Sequence, residues 1–421
     1  MGILNWGFRS SIKLHQSDAE HSVSLNGKNV DSLKFTDIVQ HSLPIINPSN
    51  KLWLNPLLFN GTLQTLYYAG ASSKEKFPIY YGRELFTYAD GGICSLDWTI
   101  PTPSSKSEFT KLYQETLPEG SPKLHPRTRY FTADELSART KHDQSGATPI
   151  VVVCHGLGGG SHEPLIRNLA ENLNTKTNNE WDVVVINTRG CCRTKVTTGK
   201  LFNAISVDDV REVIDEIKKR FPTRPLYGVG FSFGAVILAN YLGQKGDTKL
   251  KAACLVGCPW DLVDSAYHIQ ESWSGKYLFN PSLTKFLNKI IENNFEELLV
   301  HHPELFNKEN LKQGLKQTTT WQFDDLYTCH TAGYSNSMQY YREASPARRI
   351  ATINTPTLVL NSTDDPAVGV RLPVLDIISN PYMAMVETNL GGHLGWVQTS
   401  GKFWGVEVVE EFFTKFEETV N

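Results

Sequence analysis

The sequence predicts an α/β fold: a mostly parallel central sheet with helices on both faces, an N-terminal β-hairpin extension and a helical lid insertion. Three observations carry this expectation. A strand-like run at 225–229 leads into Gly230-Phe231-Ser232-Phe233-Gly234 and then into the apolar helix-forming run 235–242. From Pro149 onward, β-branched apolar runs alternate with amphipathic helical stretches, the pattern of a parallel sheet wound with right-handed crossovers. Two later strand-like runs are each followed by a polar loop, one holding Asp364-Asp365 and the other His393.

The elements follow in chain order. Leu58 to Tyr68 contains a helix, though its β-branched and aromatic residues also suit a strand. Runs at 83–88 and 93–98 flank Asp90-Gly91-Gly92, a hairpin signal, and the pair is expected to extend one edge of the sheet. Residues 101–126, rich in Pro, Ser and Lys, read as a surface loop. Ile150-Val151-Val152-Val153-Cys154 reads as a strand buried on both faces. A helix follows with Leu165, Ile166, Leu169 and Leu173 on one face, then a strand at 182–187. Ser206 and Asp209 suggest a capping box opening a helix with Val210, Val213, Ile214, Ile217 and Phe221 inward. After a strand at 252–256 the alternation breaks. Residues 260–345 lean helical, with Leu283, Phe286, Leu287, Ile290, Ile291, Phe295 and Leu298 at amphipathic spacing. Strands at 357–361 and 383–387 resume the core, and a closing helix sets Trp404, Val408, Phe412 and Phe416 four apart. The expected organisation is an N-terminal extension, residues 1–147, and a core, residues 148–421, with the lid at about 260–345.

Composition excludes several classes. A net charge of −3 gives no electrostatic case for nucleic acid. The seven cysteines (Cys94, Cys154, Cys191, Cys192, Cys254, Cys258 and Cys329) are odd in number and make no Cys-x-x-Cys pair, which suits a reducing compartment. No apolar run approaches the roughly 20 residues that span a bilayer. Met1-Gly2 begins a myristoylation signal, but Trp6 stands where Ser or Thr is needed. The first 17 residues carry Arg9 and Lys13 with no acid, beside Trp6 and Phe8, consistent with a terminus or a weak targeting segment. His155, His162, His301, His302 and His330 show no metal-ligand spacing, and neither a metal nor a cofactor is expected.

The chemistry centres on Ser232. Strand, sharp turn with a central Ser, and helix form a nucleophile elbow, in which flanking glycines let the backbones approach closely. A hydroxyl is a poor nucleophile at neutral pH and needs a base. In this fold class the order is Ser, acid, His. His393, after the strand ending at Glu387, is the expected base. Asp365 is the expected orienting acid, with Asp364 as its substitute. The oxyanion hole is expected from two backbone N–H groups, on Phe233 after the nucleophile and on Leu157 in the loop His155-Gly156-Leu157-Gly158. That loop alone also suits a dinucleotide, but the second strand ends Asn187-Thr188-Arg189 rather than in the acid such sites use.

These motifs carry a resemblance. His155-Gly-Leu-Gly-Gly-Gly-Ser-His-Glu-Pro164, Asn187-Thr-Arg-Gly-Cys-Cys192, Gly-Phe-Ser-Phe-Gly234, Asp364-Asp-Pro366 and Leu390-Gly-Gly-His-Leu394 are similar to the AB hydrolase 4 branch of the α/β-hydrolases. Phe77-Pro-Ile-Tyr-Tyr-Gly-Arg-Glu84, Asp90-Gly-Gly92 and His125-Pro-Arg-Thr-Arg-Tyr130 extend the likeness N-terminally. Together they resemble the yeast medium-chain fatty-acid ethyl ester synthase/esterases. The resemblance implies the α/β-hydrolase fold and transfer of an acyl group from acyl-CoA to ethanol, with hydrolysis of fatty-acid esters by the same triad. The alternative is a plain carboxylesterase or lipase on glycerides or phospholipids. There is no His-x-x-x-x-Asp acyltransferase motif. The implied location is the mitochondrion or the lipid droplet, with the cytoplasm as default. Trp273, Tyr277, Leu278 and Phe279, near Lys276, Lys285 and Lys289, offer a peripheral membrane contact.

Overall fold

The computed structural model describes residues 8–71, 76–142, 148–177, 181–244, 246–369 and 371–421, with the side chains of 140–142 excepted. Met1, Gly2, Trp6 and the boundary expected at 147/148 lie outside the described residues. Ten strands form one sheet. In chain order they are β1 (Ile12–Gln16), β2 (Tyr80–Thr87), β3 (Ile93–Ile100), β4 (Thr128–Tyr130), β5 (Ile150–Cys154), β6 (Asp182–Asn187), β7 (Leu226–Phe231), β8 (Ala252–Val256), β9 (Thr357–Ser362) and β10 (Met383–Thr388). Their spatial order is β1-β10-β9-β8-β7-β5-β6-β3-β2-β4. From β10 to β6 every neighbour is parallel. β1 and β3 flank this block as antiparallel strands.

Burial follows from the sequence. Strands β5 and β8 are buried along their whole length, as a sheet covered on both faces requires. One face carries the helices Pro164–Lys176 and Trp404–Thr419, and Leu169, Val408, Phe412 and Phe416 fill its core. The other carries Val207–Arg220 and the elbow helix Phe233–Leu242, with Val213, Ile214 and Ile217 inward. Each large apolar side chain withdrawn this way contributes about 1.5–3 kcal/mol.

The hairpin β2–β3 extends one edge of the sheet, as its turn signal predicts, with β4 added outside it. Its two strands are joined by charge, and Ser161 and the Cys192 carbonyl tie that pair to the core. Arg83 grips Asp97 with two 2.7 Å hydrogen bonds, both side chains fully buried, and Asp97 also accepts from Ser161. Burial opposes ionisation of Asp97, but the Arg83 guanidinium outweighs it and holds the carboxyl below its usual range. Removing one partner leaves a buried charge unpaired. Arg83→Leu should therefore lower unfolding free energy by about 3–5 kcal/mol in denaturant titration. The double variant Arg83→Leu/Asp97→Leu should recover part of the loss; a simple sum of the two single effects would contradict this reading.

Four expectations change. The expected loop 101–126 contains a helix, Lys106–Thr116, capped by the Ser105 hydroxyl, which accepts from Glu108 N. None of its side chains is buried, so its composition reads as loop. Ser206 and Asp209 form no capping box. Ser206 Oγ instead accepts from Asn203 N, and Asp209 binds Arg189. The long amphipathic run of the insertion is two helices, Asn280–Asn293 and Phe295–His301. Asn294 separates them, donating to Ile290 O and accepting from Val196 N. Finally, residues 12–16 are no loose terminus but the edge strand β1, where Lys13 and His15 both reach Glu387 of β10.

Candidate active site

Ser232 joins β7 to the elbow helix with φ 54° and ψ −118°, a strained backbone for a residue with a side chain. Its neighbours explain the glycines. A Cβ on Gly230 would lie 2.6 Å from Ala235 Cα, and one on Gly234 would lie 2.1 Å from Cys154 O. Either would force strand and helix apart.

The loops after β9 and β10 close on the serine. Ser232 Oγ lies 2.7 Å from His393 Nε2, and His393 Nδ1 lies 2.7 Å from Asp365 Oδ2. The other oxygen of Asp365 accepts from Ala367 N and Val368 N, which fixes the carboxylate plane. The two adjacent acids divide the work. Asp364 Oδ1 accepts from Ser362 Oγ, Gly391 N and Gly392 N and so holds the loop that carries His393. Burial pushes its carboxyl above the usual range, against those hydrogen bonds.

The loop after β5 lies against the serine. A Cβ on Gly156 would stand 3.7 Å from Ser232 Cβ. Ser232 N donates to Val256 O, and Gly159 N donates to Gly156 O. The N–H groups of Leu157 and Phe233 have no acceptor among the described residues. His155 is a buried brace: its ring accepts from Thr188 N through Nε2 and donates to Gly156 O through Nδ1. Glu163 accepts from Gly160 N and from the Tyr68 hydroxyl, 2.6 Å away. Burial and the Glu163 charge push the Tyr68 phenol well up.

Three supports had no signal in the sequence. Thr65 accepts from His393 N, a contact spanning 328 positions, and donates to Gly61 O. Gly61 must be glycine, because a Cβ would meet Asp364 O at 1.9 Å. The helix Gly61–Gly70 thus braces both loops. The third is a cluster, His125, His162 and Cys192, brought together from three loops.

A cavity of about 890 Å³ opens on Ser232 and His393. Its walls include Ile269, Leu278, Leu283 and Phe286 of the insertion, with Leu157, Val368 and Leu394 from the core. Its size and apolar lining suit a fatty acyl chain. Two acids, Glu163 and Asp324, lie in this wall, and Asp324 accepts from the Tyr341 hydroxyl. Burial pushes Asp324 up to about 6, with Asp325 adding to the rise and the bonds from Thr328 and Tyr341 opposing it. A raised carboxyl loses stability as pH climbs, because the unfolded chain releases its proton first. Asp324→Asn should raise Tm at pH 7.5, by up to about 3 kcal/mol in stability, and much less at pH 4.5. Equal gains at both values would count against it.

The family described as alpha/beta hydrolase fold matches residues 149–375, more than half of the chain. The chain belongs to that family. This α/β-hydrolase is 40% identical over 444 positions to medium-chain fatty acid ethyl ester synthase/esterase 2 of Saccharomyces cerevisiae, covering 99% of the chain and 97% of that relative. It is 35% identical to the monoacylglycerol lipase of the same yeast, over 86% of the chain and 80% of the relative. It is 26% identical to human phospholipase ABHD3, over 86% and 77%. No described helix is long and apolar enough to cross a membrane.

Proposed function

We infer that this α/β-hydrolase is a serine hydrolase of lipid esters that works through an acyl-enzyme, and that it also transfers medium-chain acyl groups from acyl-CoA to ethanol. The observation that carries the reading is the unbroken hydrogen-bond chain Ser232–His393–Asp365 at the floor of an apolar cavity. Ser232 Oγ attacks the carbonyl carbon of an ester or thioester while His393 Nε2 takes its proton. Asp365 holds the imidazole tautomer and stabilises the imidazolium. The N–H groups of Leu157 and Phe233 receive the oxyanion. His393 then protonates the departing alcohol or thiol, leaving acyl-Ser232. Ethanol or water enters, gives its proton to His393 and attacks the acyl carbon, and Ser232 leaves with that proton. Ethanol yields an ethyl ester, water a free acid, so one site runs both reactions.

The transferase half rests on the likeness to the yeast ethyl ester synthase/esterase, and the hydrolase half on all three relatives. Residues 260–345 act as the lid. The test is a labelled medium-chain acyl-CoA with and without ethanol, alongside acyl chains of other lengths. The expected result is an ethyl ester that grows with ethanol at the expense of free acid. Free acid alone at every ethanol level would leave the plain carboxylesterase or lipase.

A lipid surface is the proposed setting, on the lipid droplet or the mitochondrion. Trp273 and Tyr277 of the lid are more than half exposed, and Phe286 lies exposed beside the cavity with Lys276, Lys285 and Lys289 nearby. The protein should float with anionic liposomes, and Trp273→Ala/Tyr277→Ala should weaken that flotation. Full recovery of the parent protein in the aqueous fraction would end this part of the proposal.

A further inference from the structure

Resting on the serine-hydrolase reading of this site, we propose that Tyr68 and Glu163 are positioning residues for the oxyanion, and that the helix Gly61–Gly70 sets the Leu157 loop and the His393 loop in register with each other. The turn that carries the Leu157 N–H is tied at both ends. Gly159 N donates to Gly156 O and closes the turn, with Gly158 at φ 67° inside it. At its entry His155 Nδ1 meets Gly156 O at 2.7 Å. At its exit Gly160 N donates to Glu163 Oε1 at 2.9 Å, and Glu163 N donates to Gly160 O at 3.0 Å. The Leu157 N–H between these ties has a set direction.

Glu163 is itself held. Its Oε2 accepts from the Tyr68 hydroxyl at 2.6 Å, the length of a strong bond to a carboxylate. Its Oε1 fills the space that a side chain at position 159 would take, since a Cβ on Gly159 would stand 1.6 Å from it. A Cβ on Gly156 would stand 3.9 Å from Glu163 Oε2 and 3.7 Å from Ser232 Cβ. The pair is therefore close to Ser232, and both residues line the cavity. A carboxylate opposes a nearby oxyanion by its charge. The worth of Glu163 to the reaction lies in its two hydrogen bonds and not in its ionisation.

Tyr68 stands three residues after Thr65 on one face of the helix Gly61–Gly70. Thr65 Oγ1 accepts from His393 N at 2.8 Å. One helical face thus holds the His393 loop through Thr65 and the Leu157 loop through Tyr68. The helix is anchored in turn by the Asn60 cap, which accepts from Leu63 N, and by Gln64, which accepts from Val397 N. The Tyr68 ring packs edge-on against Phe403 with centroids 6.2 Å apart, a contact that does not need the hydroxyl.

The test sets the kinetics of a medium-chain p-nitrophenyl ester beside the affinity of an alkyl trifluoromethyl ketone, whose adduct with Ser232 carries an oxyanion. Tyr68→Phe removes the hydroxyl and keeps the ring. It should lower kcat about tenfold, since slackening a donor costs less than the roughly 10²–10³-fold lost when one is removed. Acylation and deacylation both pass an oxyanion, so kcat falls whichever is slower. KM should stay within about twofold. Ketone affinity should fall by the same factor as kcat, which a merely structural role does not produce. Glu163→Ala should lose at least as much, and adding Tyr68→Phe to it should cost nothing more, because the two side chains form one link. Glu163→Gln keeps an acceptor for Gly160 N and a donor for the Tyr68 oxygen, and should stay within about threefold of the parent. Tyr67→Phe, whose hydroxyl meets Lys76 instead, should change nothing. Parent kcat in Tyr68→Phe, a lowered kcat with ketone affinity unchanged, additive losses in the double variant, or Glu163→Gln as slow as Glu163→Ala would each overturn the proposal. If Glu163→Ala fails to fold, Tyr68→Phe and Glu163→Gln still decide it. A parent protein without turnover is a distinct result, which would sink the hydrolase reading and this role with it.

Discussion

Ser232→Ala should lower kcat/KM for a medium-chain ester by roughly 10⁴–10⁶-fold, with Tm unchanged within a few degrees. The hydroxyl is the only group removed, and the apolar walls of the cavity are untouched, so ester binding survives while acyl transfer does not. A residual rate over water remains, because the N–H groups of Leu157 and Phe233 still meet the oxyanion. On the proposed mechanism, acyl-CoA transfer to ethanol and ester hydrolysis should fall together, because both would pass through the same acyl-serine. A fluorophosphonate probe should label the parent protein and not the variant. Retention of either activity near the parent level would mean that a different nucleophile carries it. Relief of the strained φ and ψ at position 232 does not come from Ala, which also carries a Cβ, so no gain in stability is expected.

The second large effect separates two neighbouring carboxylates. Asp365→Asn should lower kcat by roughly 10⁴-fold, because an amide presented to His393 Nδ1 favours the wrong tautomer and cannot stabilise the imidazolium. KM should move little, as Asp365 is buried behind the histidine and away from substrate. Asp364→Asn acts differently. Its oxygen accepts three hydrogen bonds that shape the His393 loop, so the variant should lose stability together with a smaller part of kcat, on the order of tenfold. Kinetics and thermal melts on both variants decide it. If Asp364→Asn proved the more damaging to kcat at equal stability, the roles assigned to the two acids would be reversed.

The sheet and its order of elements were legible because they are local. β-branched runs, their spacing and the glycine-flanked turn at 230–234 each announce themselves within a few residues. The same holds for the loops that carry Asp365 and His393. What escaped was long-range. Thr65 reaches His393 and Gly61 makes room for Asp364, and neither relation leaves a trace in the neighbouring sequence. The cluster of His125, His162 and Cys192 has no spacing along the chain that marks it, because each side chain arrives on its own loop. The helix Lys106–Thr116 escaped for the opposite reason. It lies in a stretch rich in Pro, Ser and Lys, and its short apolar stripe, Phe109, Leu112 and Tyr113, is only half-buried. Asp364 and Asp365 stand next to each other, and only the fold distinguishes the one that touches the imidazole.

The pairing of β1 with β10 sets an order on biosynthesis. Residues 12–16 leave the ribosome long before their partners at 384–388. The hydroxyl of Ser10 similarly meets Leu390, three residues before His393. A nascent polypeptide halted before residue 380 therefore carries a complete elbow without its imidazole and with one sheet edge unsealed. Ribosome-bound chains stalled before this point should therefore resist fluorophosphonate labelling until residues 384–393 have emerged.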